Sequence, residues 1–514
     1  MLDPRLAPAV EALQQGNDRV AARLARHHLA SIPFDGPALQ LLGVALKDHG
    51  RKDDTVRWFA RCVAVLPNSP VLLAALASAL IDREDMAAAG RLLRRTLTLA
   101  PATGLYAVSM STALGKADPV AEGVWLRRAL ALDPQDGAAR CNLGIRLRRE
   151  ERLEEAASES RKALALLPAQ PEGLNNFAIL ATRVGDLSGV EMRTARAMAA
   201  RPNFAEARWN RAIARLLAGR LADAWPDAEA RLDVPGAQKR RQARRRRWRG
   251  DAAEGKTLLL FAEQGLGDTI QFCRYAPLAA HRGLRTILAV QASLARLLTT
   301  LDGVASVVVG DGSELDHDWC CPLMSLPGLF GTTLGTVPAA VPYLAPQSIG
   351  RSIWRARLGV GQALRVGLCW QGNPAHLDDR RRSLPLSVLD GLRRVPDVQF
   401  VAVRATGEPI PADWPMMDAA PWLQDMADTA DLLAELDLLI TCDTAVAHLA
   451  GALARPVWTM LAHSPDWRWM LRGVDTPWYP TMRLFRQPRA GDWPAVAYEV
   501  EQALAAMSGS PARP

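Results

Sequence analysis

Apolar side chains in the first half of the chain recur at helical spacing inside units of fixed length. Leu42, Gly43 and Leu46 are followed by Phe59 and Cys62; Leu143, Gly144 and Leu147 repeat the arrangement and are followed by Ala156, Ala157 and Ala163. Residues three and four apart share a helix face, so each unit reads as two helices that approach closely through small side chains. Proline closes the units at Pro33, Pro67, Pro101, Pro134, Pro168, Pro202 and Pro235, at intervals of 33 or 34 residues. Its ring cannot continue the helical hydrogen-bond ladder. From Lys256 the period changes. Runs rich in Leu, Val and Ile at 257–263, 285–291 and 305–310 alternate with helical segments at 268–282 and 293–301. After the Pro- and Gly-rich stretch 322–346 a second series begins, with strand-like runs at 364–370, 399–404, 437–443 and 456–461. Helical segments at 387–394, 428–436 and 444–454 separate them, and a last helix is predicted over 493–507. Strands alternating with helices of such lengths predict parallel sheets covered on both faces.

A period near 34 residues is the tetratricopeptide length, and residues 1–235 resemble tetratricopeptide repeat proteins, with a degenerate first unit acting as a cap. The resemblance implies a solenoid whose concave face holds an extended peptide or another protein; stiffening or dimerising the chain is the alternative. The two later series imply two Rossmann-like lobes with a cleft between them. The expected class is therefore α + α/β. A solenoid over 1–235 leads through a basic linker at 236–255 to a first lobe at 256–345 and a second at 346–514.

Composition changes this picture little. The chain has 514 residues, 49% hydrophobic and 23% charged, which excludes a disordered, collagenous or disulfide-scaffold protein. Charge changes it more. The net +8 equals the eight basic residues of one stretch, Lys239, Arg240, Arg241, Arg244, Arg245, Arg246, Arg247 and Arg249, so the rest of the chain is neutral. Such a local run marks a boundary near Gly250, read as a solvated hinge or a basic collar near an acidic acceptor or donor phosphates; nucleic acid is not the expected partner. The N-terminus lacks the basic start and apolar core of a secretory signal, and the apolar stretch 71–81 is too short to span a bilayer, so a cytoplasmic protein is expected. Seven cysteines without a C-x-x-C pair read as buried reduced thiols.

Three strand ends carry candidate chemistry. In the first, Glu263-Gln264-Gly265-Leu266-Gly267-Asp268-Thr269, Gly265 and Gly267 allow close backbone approach to a ligand. Asp268 reads either as a general base or as a cap accepting backbone N–H bonds. Ile270 stands where a dinucleotide fingerprint needs its third glycine. The second strand end is Cys442-Asp443-Thr444-Ala445-Val446-Ala447-His448. Thr444 and Ala445 can present backbone N–H groups to phosphate, with His448 one turn deeper on the same face. Asp443 as a cap and His448 as a core histidine form the competing reading. In the third, Trp370-Gln371-Gly372-Asn373-Pro374 precedes Asp378, Asp379, Arg380, Arg381 and Arg382. The arginines either clamp a diphosphate or pair with their own aspartates. Asp316-His317-Asp318 formally matches a D-x-D metal signature, but no metal is expected. Trp467 and Trp469, flanking Arg468, read as stacking surfaces for a ligand or as buried packing.

These blocks, with Ser464-Pro465-Asp466-Trp467-Arg468-Trp469, resemble bacterial tetratricopeptide repeat proteins fused to a GT-B glycosyltransferase domain related to family 9, the heptosyltransferase family. The resemblance implies an inverting, metal-independent transferase with a nucleotide-sugar as substrate and no cofactor. It maps the base onto Asp268. Donor phosphates map onto Arg382, three residues before Pro385, where relatives carry Lys. The nucleotide site maps onto Asp443, Thr444, Ala445 and His448, with Gly265, Gly267, Gly372 and Asn373 lining the donor side. GT-B relatives often cross a last helix back onto the first lobe. The layout also resembles O-GlcNAc transferase and bacterial flagellin glycosyltransferases, which implies a protein acceptor held by the repeats, flagellin or another surface protein.

Overall fold

The computed structural model describes all residues except 1–2, 34, 48–51, 116, 236–246, 377, 405–408 and 510–514. Most of the basic run, Lys239 to Arg246, thus lies outside the described residues, as does the linker segment 236–246. The chain divides into two compact units, Met1–Leu180 and Ala181–Pro514.

Helices fill the first unit: α1 (Ala7–Gln14), α2 (Asp18–Ser31), α3 (Gly36–Lys47), α4 (Lys52–Val65), α5 (Pro70–Asp82), α6 (Met86–Leu99), α7 (Gly104–Leu114), α8 (Pro119–Leu132), α9 (Gly137–Arg149) and α10 (Leu153–Leu166). Several helix starts carry a local signal. Ser69, Asp85, Asp118 and Asp136 cap α5, α6, α8 and α9 by accepting a backbone N–H bond, and Pro70 and Pro119 supply a preset first turn. The small residues sit where the paired helices meet. A Cβ on Gly43 would lie 2.8 Å from the Phe59 ring, and one on Gly144 would lie 2.9 Å from Ser160 Oγ. The recurring Leu, Ala and Gly positions are therefore the contact between helices of a pair, and the solenoid follows from repeating it.

Helix α11 (Pro171–Arg183) straddles the division, and the repeat pattern continues in the second unit as α12 (Leu187–Ala200), α13 (Ala205–Leu217) and α14 (Leu221–Ala228). Two parallel sheets follow. The first has order β3-β2-β1-β4, from β1 (Thr257–Phe261), β2 (Arg285–Val290), β3 (Ser306–Val309) and β4 (Trp319–Pro322). Its helices are α15 (Leu266–Cys273), α16 (Ala276–Ala280), α17 (Ala292–Leu298) and α18 (Leu326–Leu329). The second sheet has order β10-β9-β8-β5-β6-β7, from β5 (Leu364–Cys369), β6 (Val398–Ala402), β7 (Met416–Asp418), β8 (Leu438–Cys442), β9 (Val457–Leu461) and β10 (Met482–Arg486). Its helices are α19 (Ser348–Leu358), α20 (Asp379–Arg382), α21 (Met426–Leu433), α22 (Ala445–Ala452) and α23 (Trp493–Ser508). Central strands are mostly apolar, β8 being buried at every position, as a sheet covered on both faces requires.

The last repeat helices share the core of the first sheet. Leu216 and Leu217 of α13 and Leu221, Ala224 and Trp225 of α14 belong to the same buried cluster as Leu258 and Leu260 of β1 and Ile270 and Phe272 of α15. Trp225 donates its indole N–H to the Thr332 carbonyl at 2.7 Å and meets Trp467 edge-on, ring centres 6.1 Å apart. The described end of the basic run is also anchored. Arg247 bridges to Cys320 beside β4, the Trp248 backbone N–H donates to the Cys320 carbonyl at 3.1 Å, and the Trp248 side chain is buried.

One expectation is corrected. The last helix, α23, does not cross back to the first sheet. Trp493, Val496, Val500 and Leu504 bury their side chains with Val366, Leu368 and Phe400 of the second sheet. Its apolar stripe is thereby spent on the sheet it follows in sequence. The link between the sheets is instead the segment before α19, where Tyr343 donates its hydroxyl to the Ile270 carbonyl and its backbone N–H to that of Ala452, each at 3.0 Å. Among the described residues no helix is long and apolar enough to cross a membrane. None of the seven cysteines is in a disulfide, and six of them are buried.

Candidate functional site

The site is built where strand ends of both sheets run into helices. β1 ends at Phe261, and the following turn enters α15 with Gly265 as its N-cap. Asp268 faces back over that turn. Its Oδ2 accepts the Gly265 N–H at 2.8 Å, so the capping reading holds for one oxygen. The other oxygen, Oδ1, receives a charge-assisted hydrogen bond from Nη2 of Arg468. Gln291, the N-cap of α17, steadies the turn by donating to the Gln264 carbonyl at 2.9 Å and accepting from Thr269 Oγ1 at 3.0 Å.

Arg468 is the hub. Its side chain is buried, and it spans the two sheets: Nη2 reaches Asp268, Nε reaches Gln271 Oε1, and Nη1 donates to Asp466 Oδ1 at 2.8 Å. Burial opposes the guanidinium charge, but Asp466 and Asp268 outweigh it and hold the group firmly protonated. The sequence shows Arg468 only as a charge between two tryptophans. That pattern is itself a signal, because a cation enclosed by large aromatic side chains has to find its partners in the interior. Trp467 and Trp469 are both buried. Trp467 packs on Phe272, Trp225 and Trp478, and Trp469 stacks on the His448 ring with centres 5.1 Å apart. Both tryptophans are packing surfaces.

At the second strand end, Thr444 is the N-cap of α22 and its side chain makes no capping bond. Asp443 stands one residue earlier, so it is not the cap that its spacing allowed. The first turn of α22 leaves backbone N–H groups without intrahelical acceptors. Burial, and then the Asp466 carboxylate, push the Asp443 carboxyl up to about 6. His448 is buried, with its Nδ1 and the Tyr479 hydroxyl 3.0 Å apart in a hydrogen bond. Burial, reinforced by the Arg468, Arg274 and Arg382 charges, holds its imidazole well below the usual range, so the ring is neutral. Gly267 explains why it lies there. A Cβ at Gly267 would sit 2.8 Å from His448 Cδ2 and 3.6 Å from Ala445 Cα, so the glycine lets α15 close onto α22.

The third loop brings Gly372 and Arg382 together. Gly372 donates its N–H to Ser383 Oγ at 2.8 Å, and a Cβ there would lie 3.0 Å from Arg382 Nε and would strike Asp379. Arg382 Nε donates to Asp379 Oδ1 at 3.3 Å, and the Arg382 charge acts on Asp443, His448 and Cys442. Arg381 pairs with Asp378 at 2.7 Å and donates to the Ser464 carbonyl at 3.1 Å. The aspartates thus do pair with the arginines of their own loop, while the Arg382 charge is also felt at Asp443 and His448. Asn373 lies on an exposed turn, where its Oδ1 accepts the Ala375 N–H at 3.0 Å. Asp316-His317-Asp318 belongs elsewhere: Asp318 ties Lys256 and the Thr257 N–H at the start of β1. Among the described residues no group of three or more His, Cys, Asp or Glu could hold a metal ion.

The arrangement combines a carboxylate at a strand end, a second strand end with a helix terminus and an arginine, and a buried arginine joining them. It can take a proton on one side and stabilise negative oxygen atoms on the other.

Comparison with known proteins gives the following. Over 438 residues the chain is 25% identical to Protein FlbA of Caulobacter vibrioides, covering 72% of this chain and 73% of that protein. Among solved structures it is similar to YrrB, a TPR protein with an unusual peptide-binding site, at 16% identity, covering 36% of this chain and 97% of that one, with a TM-score of 0.28. It is also similar to TTC0263, a thermophilic TPR protein of Thermus thermophilus, at 21% identity, covering 35% and 100%, with a TM-score of 0.33. Residues 420–491, which contain Asp443 to His448 and Arg468 but neither Asp268 nor Arg382, match glycosyltransferase family 9 (heptosyltransferase), and this match supports a glycosyltransferase domain in the second half of the chain.

Proposed function

We propose that the protein is an inverting, metal-independent GT-B glycosyltransferase that moves a sugar from a nucleotide-sugar to a hydroxyl of a protein held by the repeats, flagellin or another surface protein being the acceptor class. The observation that carries the reading is Arg468, which bonds Asp268 on the first sheet and Asp466 beside the donor-side residues of the second. In this reading Asp268 accepts the proton of the acceptor hydroxyl as its oxygen attacks the anomeric carbon, and Arg468 fixes the carboxylate's direction. The sugar–phosphate bond breaks on the opposite face. Arg382 and the N–H groups of the first turn of α22, at Ala445 and beyond, stabilise the departing phosphate. Gly372 leaves room for Arg382, and Gly265 shapes the turn that carries the base. Asn373, Asp443 and Thr444 border the donor, while Gly267 and His448 fix the spacing of the two helices. No metal or cofactor takes part.

The test is transfer itself. Purified protein with a panel of nucleotide-sugars is expected to label a protein acceptor, and Asp268→Asn is expected to abolish labelling while donor binding persists. Loss of neither, or turnover with no dependence on Asp268, contradicts the mechanism. A second reading, in which the acceptor is a glycan or lipid precursor, draws on the family 9 match over 420–491. Label appearing in lipid or glycan instead of protein distinguishes it. Donor binding without transfer to any acceptor identifies a non-catalytic scaffold.

A further inference from the structure

Asp268 lies in the first turn of α15, which is entered through Gly265 as N-cap and contains Gly267, so this turn gains little stiffness from its own backbone. Its geometry has to come from what surrounds it. On one side stands Gln291, described above. On the other side stands a residue of the helical repeats. Arg231, in the single turn Glu229–Leu232 that closes the last repeat after α14, is buried, and its guanidinium forks onto Glu263 at the head of the turn. Nη2 donates to Glu263 Oε1 at 2.7 Å and Nε donates to Oε2 at 3.2 Å, with 2% and 1% of the two side chains exposed.

The remaining donors are also engaged. Arg231 Nη2 donates to Ser325 Oγ at 2.8 Å, and Nη1 donates to the Ala228 carbonyl at 3.1 Å and to Glu229 Oε1 at 2.9 Å. Arg247, the first described residue of the basic run, closes the cluster by pairing with Glu229 and donating to Ser325 Oγ at 3.2 Å. A bidentate arginine–carboxylate pair with every other donor occupied has one low-energy geometry. Glu263 is too enclosed to touch a substrate, so the pair acts only through the backbone that follows it.

We propose that Arg231 is a positioning residue: through Glu263 it sets the turn 264–268, and the last helical repeat thereby supports the base of the transferase. The inference rests on reading Asp268 as that base. Removing one partner strands a buried charge and can unfold the chain, whereas an apolar pair of similar volume is tolerated. The test therefore uses the full-length R231M/E263M variant, with Arg231→Lys, which keeps the charge and loses the fork, as the second variant should the first not fold. Amide hydrogen exchange is expected to rise by about tenfold or more at 264–269 and to stay at the wild-type level in β1. In the transfer assay kcat is expected to fall by about 100-fold with donor KM within about threefold, the signature of a misplaced base. Unchanged exchange at 264–269 in a folded variant overturns the proposal, and so does faster exchange with unchanged kcat. If wild-type protein transfers no sugar, the functional reading fails, while the exchange measurement still decides whether Arg231 holds the turn.

Discussion

Gly267 and Asp443 illustrate how single positions tie fold to chemistry. Gly267 was legible as a place of close approach, and the structure sets the His448 ring against it. That ring is walled by Trp469 and Tyr479, so it cannot yield to a methyl group. Gly267→Ala is expected to cost about 1–3 kcal/mol in denaturant unfolding, the range for overpacking a filled interior. Asp443 carries a pH signature. Its carboxyl titrates near 6 in the folded protein, against 3.8 as its ordinary value, because burial and Asp466 disfavour the charged form. The folded state therefore holds this proton more tightly than the unfolded chain. Its contribution is fully present below about pH 4 and is lost as pH rises through about 6. Asp443→Asn has no proton to lose, so thermal melts are expected to show its midpoint gaining on wild type from pH 4 to pH 7; a gap independent of pH contradicts the assignment. Asp268, by contrast, caps α15 with one oxygen, as one of its two readings had it, while the other oxygen faces Arg468.

At the scale of elements, periodicity was informative for most long segments, although 268–282 divides into α15 and α16. The helix pairs, β1, β2, β5, β8 and β9 stand where their apolar runs put them. The edge strand β3 stands at its run 305–310, but the edge strands β4, β7 and β10 were not legible. β4 holds two adjacent cysteines between Trp319 and Pro322, and β7 has three residues, so neither offers enough positions for a period of two to emerge. The segment 387–394 reads as an α-helix but folds as a 3₁₀ turn over Leu386–Arg394. The helix α23 shows a different limit. Its apolar stripe was evident, while the surface it covers is decided by which sheet still has an open face. The partners of Arg231 and Arg468 were opaque for a related reason: they lie 32 and 200 residues away, at Glu263 and Asp268.

For the whole molecule, the change from helix to strand and the division into compact units fall at different places. Helical repeats run to Leu232, but the unit holding both sheets starts at Ala181. The reason is physical. The first sheet has four strands and a short set of helices, and α13 and α14 complete its core with Leu216, Leu217, Leu221 and Trp225. A fragment 181–514 is therefore expected to unfold cooperatively, whereas a fragment 256–514 is expected to expose that apolar face and to aggregate or melt without a sharp transition. Calorimetry of the two fragments reads the difference, and equal transitions contradict a shared core. The net charge of +8 locates a junction in sequence, yet two of the junction's described residues, Arg247 and Trp248, are tied to Cys320, Glu229 and Ser325. The central claim, that Asp268 is the base of a sugar transfer to protein, is tested most directly by radiolabel transfer. Extract from cells lacking this chain supplies acceptors, and a nucleotide-sugar panel supplies donors. The prediction is a labelled protein band with wild-type protein and none with Asp268→Asn that still binds donor; equal labelling by the two contradicts it.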